Sequence, residues 1–205
     1  MRIIAGQRRG HKFDGPKGDL TRPTSDLVRE SIFNILGTSI EGLTVVDLFA
    51  GTGALGLEAL SRGAERAIFV ERDREAVALI YRNVATLRYE DRAKVMLTDA
   101  YRFARGLVGD PEGGPLVVFI DPPYREYEVR KKQVCAMLAG LIAQLPVGST
   151  LVVESSRALD DQTLPELDHW NVRRYGGTLV AILTLGADEP ADDAEGEDPD
   201  KSTGS

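Results

Sequence analysis

Strand-like and helix-like stretches alternate along most of this chain, and that alternation limits the fold more than any other feature. "TVVDLFA" (44–50), "RAIFVE" (66–71), "AKVMLTD" (93–99), "LVVFID" (116–121) and "STLVVES" (149–155) are short, mostly apolar runs. Runs of that length, bounded by turn residues, read as strands. Between them lie helical patterns: "ALGLEALSRG" (54–63), "REAVALIYRNVATL" (74–87), a short segment from about Tyr101, and a longer one carrying Val134, Leu138, Leu141, Ile142 and Leu145. In 74–87 the spacing puts Val77, Ile80, Tyr81 and Val84 on the buried side. Alternation with short connections implies a parallel sheet covered on both faces. The end, "HWNVRRYGGTLVAILTLG", reads as a hairpin turning at Gly176 and Gly177. The expected fold is α/β: a doubly wound, mostly parallel seven-stranded sheet with an antiparallel C-terminal edge hairpin. Ahead of it, "TRPTSDLVRESIFNILG" predicts a helix with Val28, Ile32, Ile35 and Leu36 on one face, Thr24 or Ser25 as cap and Gly37 as its end.

Charge divides the chain into three parts. The net charge of −7 over 205 residues resides in residues 187–205, which hold eight acids and one lysine. That segment has no apolar periodicity and reads as a disordered acidic tail. Residues 1–22 form a basic arm, with Arg2, Arg8, Arg9, Lys12, Lys17 and Arg22 against Asp14 and Asp19. Residues 23–186 form the folded domain. Alternation in "RIIAGQRRGHKF", on either side of a glycine-bearing turn, predicts a small N-terminal β-hairpin. Cys135 stands alone, which excludes an intramolecular disulfide. With only His11 and His169 besides, far apart in sequence, no metal site is expected. The sequence has neither a membrane-length apolar stretch nor a signal peptide, so a cytoplasmic setting is expected.

Ligands of open α/β sheets bind at the carboxyl ends of the strands. The first such end reads "DLFAGTGALG", with Gly51, Gly53 and Gly56 in G-x-G-x-x-G spacing. Glycine lets the backbone turn tightly and come close to a ligand. A nicotinamide dinucleotide would need these glycines and an acid about 20 residues on. Glu71 meets that demand, but adenosylmethionine also has a ribose and lacks a pyrophosphate. Asp47, at the end of the first strand, would repel a pyrophosphate by about 4 kcal/mol at close contact, and it suits a cationic ligand. Adenosylmethionine is therefore the favoured cofactor. Asp99, ending the third strand, can accept the amino hydrogens of adenine or cap the helix that follows; both roles are open.

"VVFIDPPYREY" (117–127) ends a core strand in an acid, two prolines and an aromatic ring. Proline cannot donate to a ladder, so the strand stops there rigidly. An exocyclic base amine is a poor nucleophile, because its lone pair is delocalised into the ring. It improves when acceptors hold its hydrogens and the lone pair turns toward an electrophile. Asp121 and the carbonyl of Pro122 can be those acceptors, Pro122 and Pro123 fix the backbone, and Tyr124 can stack on an extruded base.

"VVDLFAGTGALGLEAL", "VERD", "LTDA" and "DPPY" resemble the Rossmann-like class I adenosylmethionine-dependent methyltransferases that modify amino groups of nucleic acid bases. "MRIIAGQRRG" and "RPTSDLVRESIFNIL" resemble the RsmD family more narrowly, from Met1 to about Leu185. The resemblance implies transfer of a methyl group to N2 of one guanine, position 966, of 16S ribosomal RNA. It implies cofactor contacts at Asp47, Phe49, Gly51, Gly53, Glu71, Asp99 and Ala100, and base handling by Asp121 to Tyr124. The partner expected is ribosomal RNA or a small-subunit assembly particle. Arg2, Arg8, Arg9, Lys12, Arg22, Arg29 and Arg125 are the expected RNA contacts, through phosphates. Two other readings stay open: an adenine N6-methyltransferase acting on DNA or RNA, and a non-catalytic RNA-binding or assembly module. The acidic tail has no counterpart in the resemblance.

Overall fold

The computed structural model describes residues 1–15, 26–155, 163–165 and 167–186. Its strands are β1 (Thr44–Asp47), β2 (Arg66–Glu71), β3 (Ala93–Leu97), β4 (Leu116–Ile120), β5 (Thr150–Ser155), β6 (Asn171–Tyr175) and β7 (Thr178–Thr184). The helices among the described residues are α1 (Asp26–Leu36), α2 (Ala54–Ser61), α3 (Arg74–Leu87), α4 (Ala100–Ala104), α5 (Tyr124–Val129) and α6 (Lys131–Gln144). One seven-stranded sheet runs in the order β3-β2-β1-β4-β5-β7-β6. The strands from β3 to β5 are parallel. β7 runs antiparallel to β5, and β6 antiparallel to β7.

Burial follows from this order. Every residue of the central strands β1, β4 and β5 is buried, whereas the edge strands β3 and β6 expose much of their length. Covered on both faces, a central parallel strand must be apolar throughout, which is why "LVVFI" shows no polar alternation. Its side chains still divide by the period of two: Val117 and Phe119 join one core, and Leu116, Val118 and Ile120 the other. Strand order reverses between β1 and β4, and a crevice opens there above their carboxyl ends.

Several expectations need adjustment. Strand β1 ends at Asp47 and β3 at Leu97, short of the runs read from sequence. Tyr81 is 55% exposed; the buried side of α3 holds Val77, Leu79, Ile80, Asn83, Val84 and Leu87. The short helix α5, directly after the prolines, is an element that periodicity did not separate from α6. Thr24, Ser25, Lys17, Arg22 and the acidic tail lie outside the described residues.

The arm does turn back on itself, but without two regular strands. A single antiparallel bridge joins Arg2 and Lys12 around a 3-10 turn at Gly6–Arg8. Ile3 N–H donates to His11 O at 3.0 Å and Phe13 N–H to Met1 O at 3.1 Å. Ladder formation stops because the next amides are used elsewhere: Ile4 and Ala5 donate to the Glu58 carboxylate at 2.8 and 3.0 Å. Ile3 and Phe13 are buried, so the arm is packed onto the body.

Candidate active site

The floor of the crevice is the turn after β1. Gly51 (φ 52°) and Gly53 (φ 81°) take left-handed conformations that side-chain-bearing residues rarely adopt. Gly56 serves packing instead: a Cβ there would lie 2.3 Å from the Phe69 ring of β2. Glu71 stitches two loops together. Gly51 N–H donates to its Oε2 at 3.0 Å, while Arg72 and Asp73 N–H donate to its Oε1 at 2.7 and 2.8 Å. Asp99 caps α4, accepting from Arg102 N–H at 3.0 Å, and Ala100 behind it is buried. Phe49 meets Tyr101 edge-on with ring centroids 5.8 Å apart. Asp47, Phe49, Gly51, Glu71, Asp99, Ala100 and Asp121 to Tyr124 all line one cleft of about 1440 Å3.

Asp47 is 2% exposed and accepts from Gly56 N–H at 3.3 Å. Burial pushes its carboxyl up to about 7; the Gly56 hydrogen bond opposes the rise, and Asp121 and Glu71 add to it. Asp121 and Glu71 thus both disfavour a negative charge on Asp47 beside the glycine turn. A pyrophosphate would worsen that repulsion, and a ligand with an ammonium and a sulfonium relieves it. This set of buried and half-buried carboxylates and backbone donors fits a cationic cofactor such as adenosylmethionine.

Asp121 directly follows β4, next to β1. Pro122 is buried and Pro123 is exposed at the start of α5. Pro123 O accepts from Glu126 N–H at 2.7 Å, which commits that carbonyl to the helix. Tyr124 is 38% exposed at the crevice. Two anchors hold α5: Tyr127 Oη donates to Glu154 O at 3.0 Å, and Tyr101 Oη donates to Glu126 Oε2 at 3.0 Å.

The expected RNA contacts divide. Arg2, Arg9, Lys12 and Arg125 are exposed. Arg8 is half-buried; its Nε donates to Leu87 O at 3.1 Å and its guanidinium lies over Tyr89, so it is partly an anchor of the arm. Arg29 is corrected outright. It is fully buried, donates to Arg2 O at 2.8 Å and to Asp26 Oδ1 at 2.9 Å, and lies 3.8 Å from Glu58 Oε2. A side chain so enclosed is a core cation and meets no phosphate.

Three residues matter that the sequence motifs do not flag. Glu58 is fully buried in α2 and holds Ile4, Ala5 and Arg62; its signal is a lone acid inside "ALGLEAL". Asn83 joins the arm to the glycine turn: its amide nitrogen donates to Asp14 O and Thr52 O, each at 3.0 Å. It falls on the stripe of Ile80 and Leu87, which was legible. Glu126 gathers Arg72 from the loop after β2, Tyr101 from α4 and Arg130 from the end of its own helix; only the last of these is legible as a local i,i+4 pair.

Fold and crevice together define a class, the Rossmann-like methyltransferases with adenosylmethionine as donor. A family model described as "Conserved hypothetical protein 95" matches residues 1–184, and the chain belongs to that family, the RsmD family of the sequence resemblance. It is 39% identical over 183 residues to YlbH of Bacillus subtilis (strain 168), provisionally named an rRNA methyltransferase, covering 89% of this chain and 97% of that protein. "Ribosomal RNA small subunit methyltransferase D" of Escherichia coli (strain K12) is 44% identical over 125 residues, 61% of each chain. A solved Escherichia coli structure, yhhF, provisionally described as a methyltransferase, superposes with TM-score 0.73 at 34% identity, covering 90% of this chain and 97% of that one.

Proposed function

We propose that this protein transfers a methyl group from adenosylmethionine to the exocyclic N2 of a guanine in small-subunit ribosomal RNA, guanine 966 by family resemblance. The observation that carries this reading is the adjacency of the Asp121–Tyr124 segment after β4 to the glycine turn after β1, within one cleft. The names borne by the relatives support ribosomal RNA as the substrate. The cytoplasm, where that RNA is made and assembled, is the setting.

Bound adenosylmethionine supplies an electrophilic methyl group. Asp47, Phe49, Gly51, Gly53, Glu71, Asp99 and Ala100 would hold it. The chain's task is then to prepare the nucleophile. Asp121 Oδ and the Pro122 carbonyl accept hydrogen bonds from the two amine hydrogens, which leaves the nitrogen lone pair aimed at the donor; the methylated nitrogen then gives up one proton to Asp121, and the donor would depart as the thioether adenosylhomocysteine. Tyr124 stacks on the extruded base, and Pro122 and Pro123 keep the acceptors from swinging away. Placement supplies most of the barrier reduction.

Asp121→Ala tests this. Donor affinity by calorimetry stays within a few-fold of wild type, while turnover falls about 100-fold or more. Equal loss of both would assign Asp121 to the donor. Labelled-methyl transfer to immature small subunits, naked ribosomal RNA and DNA, followed by mapping of the modified nucleotide, decides the substrate. Label on an adenine N6 would replace the guanine reading, and donor binding without any transfer would favour a non-catalytic RNA-binding module.

A further inference from the structure

Beside the crevice, which Arg72 and Tyr124 line, one buried acid gathers two arginines. Glu126, in α5 two residues past Tyr124, is 7% exposed. Its Oε1 lies 3.1 Å from Arg72 Nη2, and its Oε2 lies 3.6 Å from Arg130 Nε. Tyr101 Oη donates to the same Oε2, and burial together with Glu126 pushes the Tyr101 hydroxyl up, so it stays neutral. One carboxylate therefore holds two guanidiniums. Among the described residues neither Arg72 nor Arg130 has another ion pair. Both remain open to solvent, 54% and 40% exposed. A guanidinium carries five N–H donors in a fixed fork. Arg72 commits Nη2 and Arg130 commits Nε, which leaves the other donors of each for a second anion.

We propose that Arg72 and Arg130, gathered on Glu126, form a phosphate-binding subsite beside Tyr124. It grips the RNA backbone next to the nucleotide whose base enters the crevice. The inference rests on the RNA methyltransferase reading and assigns contacts beyond the basic arm. Extruding a base costs stacking energy, and a backbone held near the pivot offsets that cost. Arginine suits the task because its planar fork meets phosphate oxygens in pairs. Arg72 follows Glu71, which places this grip beside a donor-holding loop, and Arg130 closes α5, which begins at Tyr124.

The test is anisotropy titration of a fluorescein-labelled RNA stem-loop with a guanine in its loop, at several salt concentrations, with adenosylhomocysteine present. The double variant Arg72→Gln/Arg130→Gln binds about tenfold more weakly, and its log K against log salt is shallower by about 0.7 to 0.9 for each phosphate no longer gripped. Arg72→Lys/Arg130→Lys restores the slope. Glu126→Gln keeps an acceptor for Tyr101 and releases both cations, so it binds the RNA at least as tightly as wild type. Wild-type affinity and slope in the double glutamine variant would overturn the proposal. So would a Glu126→Gln variant that loses RNA affinity equally, because the cluster would then merely brace α5. Binding is read independently of transfer: wild-type protein that grips RNA through these arginines yet methylates no ribosomal RNA would refute the proposed reaction alone.

Discussion

At Asp47 the carboxyl is raised from 3.8 to about 7, first by burial, then by Asp121 and Glu71 against the Gly56 hydrogen bond. For an acid whose folded pKa is raised, the stabilising contribution is complete below the unfolded value and is lost as pH rises through the folded one. Donor-free protein should thus lose stability between about pH 4 and pH 7, by at most about 4 kcal/mol at 1.36 kcal/mol per unit. A cationic donor favours ionised Asp47 and expels its proton. Calorimetry of adenosylmethionine in buffers of different ionisation enthalpy should detect up to one proton released near pH 6 and almost none near pH 8. Asp47→Asn should abolish the release; release that survives would point to another group. The placement of Asp47, Gly51 and Glu71 around one cleft was legible because it follows from position relative to a strand end. Arg29 was misread although its signal was present: Arg29, Phe33 and Leu36 share a helical face, and only a counter-charge from α2 makes that face tolerable for a cation.

Among the elements, α2 and β2 pack closely where Gly56 faces Phe69. The apparent ligand glycines serve two different ends: Gly51 and Gly53 bend the chain, and Gly56 lets Phe69 sit against the helix backbone. Gly56→Ala should therefore destabilise by about 1–3 kcal/mol through overpacking, despite the better helix propensity of alanine. A double-mutant cycle with Phe69→Leu, read by denaturant unfolding, should recover most of that loss; additive losses would show that the ring is not the obstacle. The strands were readable from short apolar runs bounded by turn residues, and the long helices from apolar spacing with their end signals. Helix α5 was not, since six residues carry too few apolar positions for a period, and its place depends on Tyr101 and Glu154, contributed by α4 and β5.

Across the whole molecule, the described part of the N-terminal arm, residues 1–15, is packed as part of the fold. Composition reports charge but is silent about which backbone amides find a partner. Two buried polar residues settle that here: Asn83 ties Asp14 to the glycine turn, and Glu58 accepts from Ile4 and Ala5 while facing Arg29 and Arg62. Glu58→Ala leaves two amides without their acceptor and Arg29 with the half-exposed Asp26 as its remaining counter-charge, so it should cost about 3–5 kcal/mol. The loss has two separable parts. Replacing the pair together, Glu58→Leu with Arg29→Met, removes the unpaired charge and should recover much of the global stability. It leaves Ile4 and Ala5 without an acceptor, so the amides of Ile3, Gly10 and Phe13 should exchange hydrogen faster than in wild type even where unfolding midpoints agree. Wild-type exchange in the arm of that double variant would mean that Ile3 and Phe13 dock it by apolar contact alone, and that the carboxylate of Glu58 serves only Arg29 and Arg62.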